Sequence, residues 1–588
     1  MFDLPELLDM VLSLLSVQDL ARCALVNKQW CGAASPHLWR TISGLLSTQR
    51  RSLQRTVLED FLRRQERHEQ HLSTEDVERY QRSGQGPIKG EVDTGQELSS
   101  YLPGLCRLAP WVRNLDNPQF IFYALKHTTT MHNVQELLYH FLKQCVNVRA
   151  LTLDIFFPSP LFYQVCIIIA ESLAPNLREL SLLGPRNGSC FGMSSRWYLF
   201  LISRCSIKLE KLTIFSDPHP GYIGDIVSKK LPVVEVTFPG LKELTLDHCW
   251  SKDELPMWEW FWRGCGNVER LEVRACRANL AHDLAARIRV CLPKVNTIVI
   301  KDTMHRKAVA PILSACVGGW KNIRTHAALD PMSCQALVTH CGTLEVLEVM
   351  TISAFSSKTL RRVLISSPRL KALITIDNKW CRRLGSPYIE ANDFIGVIPL
   401  SNSLYPWASE KSLKVLKTKI TRIPRPDVYK VLAGQEHFEP LTETYDGEGR
   451  HIQKRVHERL GRLTNLEELC LGQAARANVS LESVYYGGEG EDYQYDCLEM
   501  TLESGLDQLK GLNNLRVLDV QRMEQRIGLK EVQWMSQYWP RLREIRGLCD
   551  DGDNLKAVEW LWKHSPMIKV KLSSRWFSMT KQYDMSKH

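Results

Sequence analysis

From about residue 140 onward the apolar positions keep returning in one phrase, Leu-x-x-Leu-x-Leu, with Val or Ile admitted. Full copies begin at Val148, Leu177, Leu209, Leu241, Val268, Val295, Leu344, Leu466 and Leu515, and weaker ones at Ile323, Leu370, Leu413 and Leu542. The fourth and sixth residues of each copy alternate along a short strand, so both are expected to point into a core. From Leu241 through Val268 and Val295 to Ile323 the steps are 27, 27 and 28 residues, and from Leu177 through Leu209 to Leu241 they are 32 each. Amphipathic stretches fall between the copies, at Leu161–Leu173, Trp197–Ser203, Leu280–Val290, Ala308–Cys316 and Thr359–Ile365. Each strand–helix unit can bury its apolar side only against its neighbours, which predicts a stacked parallel sheet lined by helices.

The first 42 residues have a different rhythm. Leu4, Leu7, Leu8, Val11, Leu12 and Leu15 recur at helical spacing, and Pro5 suits a first helical turn, where its missing N–H costs nothing. Ser16 to Asp19 read as the start of a second helix carrying Leu20, Ala21 and Ala24. Val26, Trp30 and Ala33 lie on a third, and Leu38, Trp39 and Ile42 close the unit. Three short helices make a marginal core alone, which points to stabilisation by a partner. A helical cap sealing the end of the following array is the plainer alternative. The apolar positions cover more than one face, which argues for a role beyond a cap.

In order and spacing, Leu4-Pro5-Glu6-Leu7-Leu8, Val11 to Leu15, Asp19-Leu20, Val26, Trp30 and Leu38-Trp39-Arg40 resemble the F-box motif. The steps of 27, 27 and 28 residues in the later phrase fit the roughly 20–29-residue period of leucine-rich repeats, and the steps of 32 imply slightly longer convex segments. Together they resemble the F-box/leucine-rich-repeat family. The resemblance implies an α/β chain: an N-terminal three-helix F-box over residues 1–45, then an α/β solenoid with parallel strands on its concave face and helices on its convex face. A charged connecting helix and flexible loop would fill 46–100. The solenoid would run over 101–588, with long insertions near 376–412, 424–460 and 473–510. It also implies a substrate receptor, whose F-box inserts Leu4, Pro5, Leu7, Leu8, Val11, Leu12, Leu15, Leu20, Val26, Trp30, Leu38 and Trp39 into the Skp adaptor of a cullin-RING ubiquitin ligase. The repeats would then hold a protein substrate.

Composition narrows the alternatives. Among 588 residues, 44% are hydrophobic and 24% charged, ordinary for a soluble globular protein. A net charge of +10 is thinly spread over that length, short of the dense basic face of a nucleic-acid binder. Arg50, Arg51, Arg55, Arg63, Arg64 and Arg67 alternate with acidic residues; a solvated helix face is the plainer reading, and contact with a nucleic acid or membrane surface the rival one. No apolar run reaches the roughly 18 residues of a membrane span, and the start lacks the basic-then-apolar order of a signal peptide. The 18 cysteines contain no CxxC pair, so a reducing cytoplasmic and/or nuclear compartment with free thiols is expected. Cys145, Cys205, Cys265, Cys316 and Cys341 precede strands, where a small buried thiol packs well.

No motif of an enzyme stands out: there is no Walker loop, HExxH or GxSxG, and the 17 histidines lack ligand spacing. No catalytic role, cofactor or metal is expected. Trp258, Trp260, Trp262, Trp560 and Trp562 read as packing residues of convex helices. Two long steps, Leu413 to Leu466 and Leu466 to Leu515, either hide a degenerate repeat or project as loops, the second carrying the aromatic–acidic run Tyr485 to Tyr495. Function in such an array is expected on the outward strand positions. There Glu243, Asp247, Arg270, Glu272, Arg274, Lys301 and Glu348 are the candidate substrate contacts. Both charge signs occur with apolar residues between them, which suits a protein partner better than a phosphate backbone. A monomer within a ligase complex is the expected assembly, and a scaffold that binds the Skp adaptor without degrading its partner is the alternative.

Overall fold

A computed structural model of the chain describes residues 11–15, 19–20, 23, 33–34, 37–38, 40–43, 109–116, 141–154, 166–183, 195–205, 207–215, 236–247, 258–276, 278–351, 355–376, 388–396, 403–423, 443–471, 498–521, 527–548 and 552–572. The chain divides into two compact units, Met1–Glu269 and Arg270–His588.

In the first unit six parallel strands pair in sequence order: β1 Thr41–Ser43, β2 Asn114–Asp116, β3 Ala150–Asp154, β4 Glu179–Leu183, β5 Lys211–Phe215 and β6 Glu243–Asp247. Their register aligns Leu115, Leu151, Leu180, Leu212 and Leu244 in one row, all buried. That row is the fourth position of the repeated phrase. β2 lies before the first copy read from the sequence, and β1 belongs to the end of the amino-terminal motif. Arg113 and Asn114 both donate their N–H to the Arg40 carbonyl, so the motif's last residues form the first rung of this ladder.

The second unit repeats the plan. β7 Arg270–Val273, β8 Thr297–Ile300, β9 Asn322–Thr325, β10 Val346–Val349 and β11 Ala372–Ile374 are parallel neighbours. β12 Tyr388–Glu390 leaves the ladder, which continues through β13 Val415–Lys417. β14 Lys419–Thr421 pairs with β12 in a separate two-stranded sheet. β15 Glu468–Cys470, β16 Val517–Asp519, β17 Glu544–Leu548 and β18 Lys569–Leu572 complete the series. This mixed α/β arrangement, with helices between parallel strands, is compatible with a repeat solenoid.

Two hydrogen-bonding devices recur, and both follow from stacking similar units. One carbonyl ahead of each strand accepts two successive N–H groups from the next unit: Arg149 from Arg178 and Glu179, Lys321 from Glu345 and Val346, Glu467 from Arg516 and Val517. An Asn just before the first apolar position donates its side-chain amide to a carbonyl of the preceding unit, as Asn147 does to Pro110 at 2.8 Å, Asn465 to Lys411 at 2.7 Å and Asn514 to Thr464 at 3.1 Å. These amides satisfy turn carbonyls that the parallel ladder leaves over. The five cysteines singled out above are all buried, and burial pushes the Cys205 thiol up to about 12. Trp258 and Trp262 are fully buried, whereas Trp562 is 56% exposed and so is not a packing residue.

Several sequence expectations need correction. Ile323 does not open a copy. It pairs with Ile298 and Leu347 in the fourth position, so the copy begins at Trp320 and the step from Val295 is 25 residues, not 28. Trp320 is wholly buried and donates its indole N–H to the Leu313 carbonyl at 2.7 Å, a role leucine cannot fill. Neither long step hides a further rung of this ladder, because β13 pairs directly with β15 and β15 with β16.

Helix starts are capped where the sequence offers a cap. Asp330 Oδ1 accepts the Ser333 N–H and the Ser333 hydroxyl, both at 2.7 Å, and Pro331 occupies the first helical position of Pro331–Val338. Asp330→Ala is expected to lower stability by about 1 kcal/mol, seen as faster amide exchange over 331–338 with the neighbouring helices unchanged. Equal exchange in the variant would show the cap to be idle.

Candidate functional site

The described part of the amino-terminal motif has an inside and an outside. Leu12, Leu20 and Ala34 form one buried cluster, with Leu15, Cys23, Ala33 and Leu38 packed partly buried around it. On the same short helix Val11 is 40% exposed and Leu14 is 82% exposed. Leu14 and Leu15 N–H close the helix onto the carbonyls of Val11 and Leu12. Residues three apart on a helix share a face, so Val11 and Leu14 stand together on the solvent side while Leu12 turns inward.

The sequence grouped Val11, Leu12, Leu15, Leu20 and Leu38 as one binding set. Only Val11 of these is well exposed, and Leu14, which that grouping omitted, is the most exposed of the described apolar residues on this helix. The three-residue step from Val11 was the signal that would have found it. Leu4, Pro5, Leu7, Leu8, Val26, Trp30 and Trp39 lie outside the described residues, as do the arginines of 50–67 and the run Tyr485 to Tyr495.

On the strand ladders, Glu243 and Asp247 belong to the first unit, where Glu243 lies 3.8 Å from Lys211. In the second unit Glu272 sits between two guanidiniums, 2.9 Å from Arg274 and 3.9 Å from Arg270. Glu348 faces Arg324 at 3.4 Å, and Lys301 is half-buried on the strand end beside them. Arg324 escaped the sequence reading because Trp320 displaced the register there.

A second group was missed entirely. Lys417 meets Glu468 at 2.7 Å, Arg546 meets Glu544 at 3.0 Å and Asp519 at 3.7 Å, and Lys571 meets Glu544 at 2.6 Å. The Arg546 hydrogen bond, aided by Lys571, holds the Glu544 carboxyl down at about 2, whereas burial pushes Asp519 up. This network is nearly self-neutralising. It neighbours copies whose outward residues are visible in the sequence but whose spacing is broken by long steps.

Among the described residues no group of three or more His, Cys, Asp or Glu side chains is arranged to hold a metal ion, and no helix is long and apolar enough to cross a membrane. Residues 3–44 match the F-box-like family model. The curated proteins contain no match to the chain. The chain therefore carries an F-box-like domain at its amino end; F-box domains bind the Skp adaptor in Skp–cullin–F-box complexes.

Proposed function

We propose that the chain is a substrate-recognition adaptor, docking the Skp subunit of a cullin-RING ubiquitin ligase through its three-helix F-box. Its repeated strand–helix units are leucine-rich repeats that hold a target protein. Ubiquitin transfer would be the work of other subunits, helped by the high local concentration of target lysines that tethering gives. The carrying observation is the F-box-like match over residues 3–44 together with apolar Val11 and Leu14 left outside the module's own core. Leu7 precedes Val11 by four positions and Leu14 by seven, the spacing of one helical face. Leu7, Val11 and Leu14 are therefore assigned to docking, and Leu12 and Leu20 to holding the module together.

Co-purification of the full chain with the Skp adaptor separates these roles. Val11→Asp with Leu14→Asp is expected to weaken capture by more than about tenfold, as for a charge placed in the core of an interface, with the melting transition unchanged. Leu12→Ala removes buried volume, at a cost of about 2–5 kcal/mol, and is expected to weaken capture by loosening the module. Undiminished capture by the double aspartate variant would defeat the assignment of the docking face.

A further inference from the structure

The strand β18 has an open side. It pairs with β17 along one edge, and among the described residues no strand pairs with its other edge. The Lys569 N–H is spent on the Arg543 carbonyl, and backbone groups alternate in direction along a strand, so the N–H and C=O of Val570 face the open side. The apolar rows that the inner rungs bury come to the surface here. Leu518 and Ile545 are wholly buried, whereas Val570, next in their row, is half-buried. Leu515 and Leu542 are buried, whereas Met567, at the same position in its rung, is 73% exposed. Leu572 is exposed as well, and so are Leu555 and Trp562, seven residues apart on one face of the helix Gly552–His564. A stacked array is closed by a terminal unit with a polar outer face; the face at β18 is apolar and lies beside a free strand edge.

Charge decides what this edge accepts. Lys417, Arg546 and Lys571 meet Glu468, Asp519 and Glu544, three cations to three carboxylates, and Lys569 stands outside that network. It is exposed, with no carboxylate within ion-pair distance among the described residues; Glu544, across the ladder from it, is held by Arg546 and Lys571. A second copy of the chain does not fit. Every antiparallel pairing of β18 with itself, centred on Lys569, Val570 or Lys571, sets lysine directly against lysine, which is destabilising. The chain's own residues 573–588 carry Arg575, Lys581 and Lys587 against Asp584, the wrong sign again. We propose that the β18 edge receives an extended segment of the target protein as an added strand, with acidic and apolar residues in alternation. This deepens the adaptor reading and rests on it. Backbone groups of the segment bond the N–H and C=O of Val570, its apolar side chains cover Val570 and Leu572, and the carboxylates between them face Lys569.

The test is a selection of random dodecamer peptides displayed on phage against the full chain at physiological salt. Enriched sequences are expected to alternate Asp or Glu with Val, Ile, Leu or Phe. Val570→Pro removes the N–H that faces the open side and keeps the bonds of Lys569 and Lys571 to β17. A fluorescein-labelled copy of the best peptide should bind this variant about tenfold or more weakly, since a peptide carbonyl loses its donor. Lys569→Glu should weaken binding by about as much, about tenfold, Lys569→Gln by less, and Lys358→Glu, on an exposed helix position, not at all. Melting curves and amide exchange at Lys569 and Lys571 are taken for every variant, and Lys569→Gln decides the matter if Val570→Pro loosens β18. No enrichment, enriched peptides without the alternation, or binding indifferent to the Lys569 variants would overturn the proposal. So would tighter peptide binding by the double variant Trp576→Ala, Phe577→Ala, which would give the edge to the chain's own residues 573–588. A dimer in sedimentation velocity that Val570→Pro dissociates would overturn it too, by giving the edge to a second copy. Skp capture by the same preparation is scored separately. Failure there with peptide binding intact would refute the ligase role alone.

Discussion

Arg459→Ala is expected to destabilise the second unit by about 3–5 kcal/mol, the cost of breaking a buried ion pair by removing one partner. The Arg459 side chain is fully buried on the helix Glu443–Gly461. Its Nη1 donates to Glu410 Oε1 at 2.5 Å, and its Nη2 donates to the carbonyls of Ile395 at 2.7 Å and Tyr405 at 2.6 Å. The guanidinium also lies 4.7 Å from the centre of the Trp407 ring. Burial lowers its pKa to about 10, partly offset by Glu410, so it stays charged at neutral pH. Alanine would take the guanidinium donor from two carbonyls and leave the Glu410 carboxylate without its cation, with the Trp407 backbone N–H still donating to it at 3.3 Å. Lysine keeps the charge but lacks the planar fork that reaches three acceptors at once, so Arg459→Lys should recover only part of the loss. The measurement is the urea midpoint reported by amide exchange over 391–396 and 443–461. A midpoint for Arg459→Ala within about 0.5 kcal/mol of the parent protein, the usual effect of an ordinary surface change, would show that the guanidinium pins nothing.

Arg459 also marks where sequence reading stopped. The phrase Leu-x-x-Leu-x-Leu exposed most of both ladders because parallel stacking demands two inward residues per rung, and Leu115 to Leu244 or Ile298 to Leu373 supply them. It failed where a different side chain met the same demand. Trp320 fills a first position with an indole anchored at Leu313, and that one substitution shifted the reading of a whole rung and concealed Arg324. The β12–β14 sheet was invisible for another reason: Tyr388–Glu390 is three residues long and is held by Arg422–Glu390 at 3.3 Å and by packing of Phe394 on Trp407, long-range contacts that leave no local period. At the amino end, the order and spacing of residues from Leu4 to Arg40 resemble the F-box motif but do not disclose its polarity. Leu12 and Leu14 look alike in sequence, and only the turn of the helix decides that one is core and the other surface.

Acidification from pH 7 to about pH 4 should cost the second unit about 3 kcal/mol through His457 alone. The side chain is fully buried, and its Nδ1 lies 3.1 Å from the carbonyls of both Gln453 and Ser504. Both neighbours are acceptors, so Nδ1 carries the proton and donates, which leaves Nε2 as a buried nitrogen with no hydrogen-bond partner. Gly505 lies just beyond the Ser504 carbonyl: its φ of +107° is foreign to most side chains, and a Cβ there would come within 3.1 Å of the Lys454 side chain. Desolvation lowers the His457 pKa from 6.5 to about 4, against the two carbonyls and Asp507, which favour the charged form. The folded value lies below the unfolded one, so the native state binds its proton later. Stability is then complete above pH 6.5, falls by about 1.4 kcal/mol for each pH unit on the way down toward 4, and levels off below that. His340, lowered by burial beside the Leu313 carbonyl, adds to the same slope. Replacing His457 with Asn keeps an N–H donor and removes the titration, so the variant should be less stable at pH 7 yet lose about 3 kcal/mol less on acidification. Urea midpoints for the two proteins at pH 7, 5.5 and 4.5 should converge. Parallel lines would mean that His457 takes up its proton without resistance and that its burial carries no electrostatic cost.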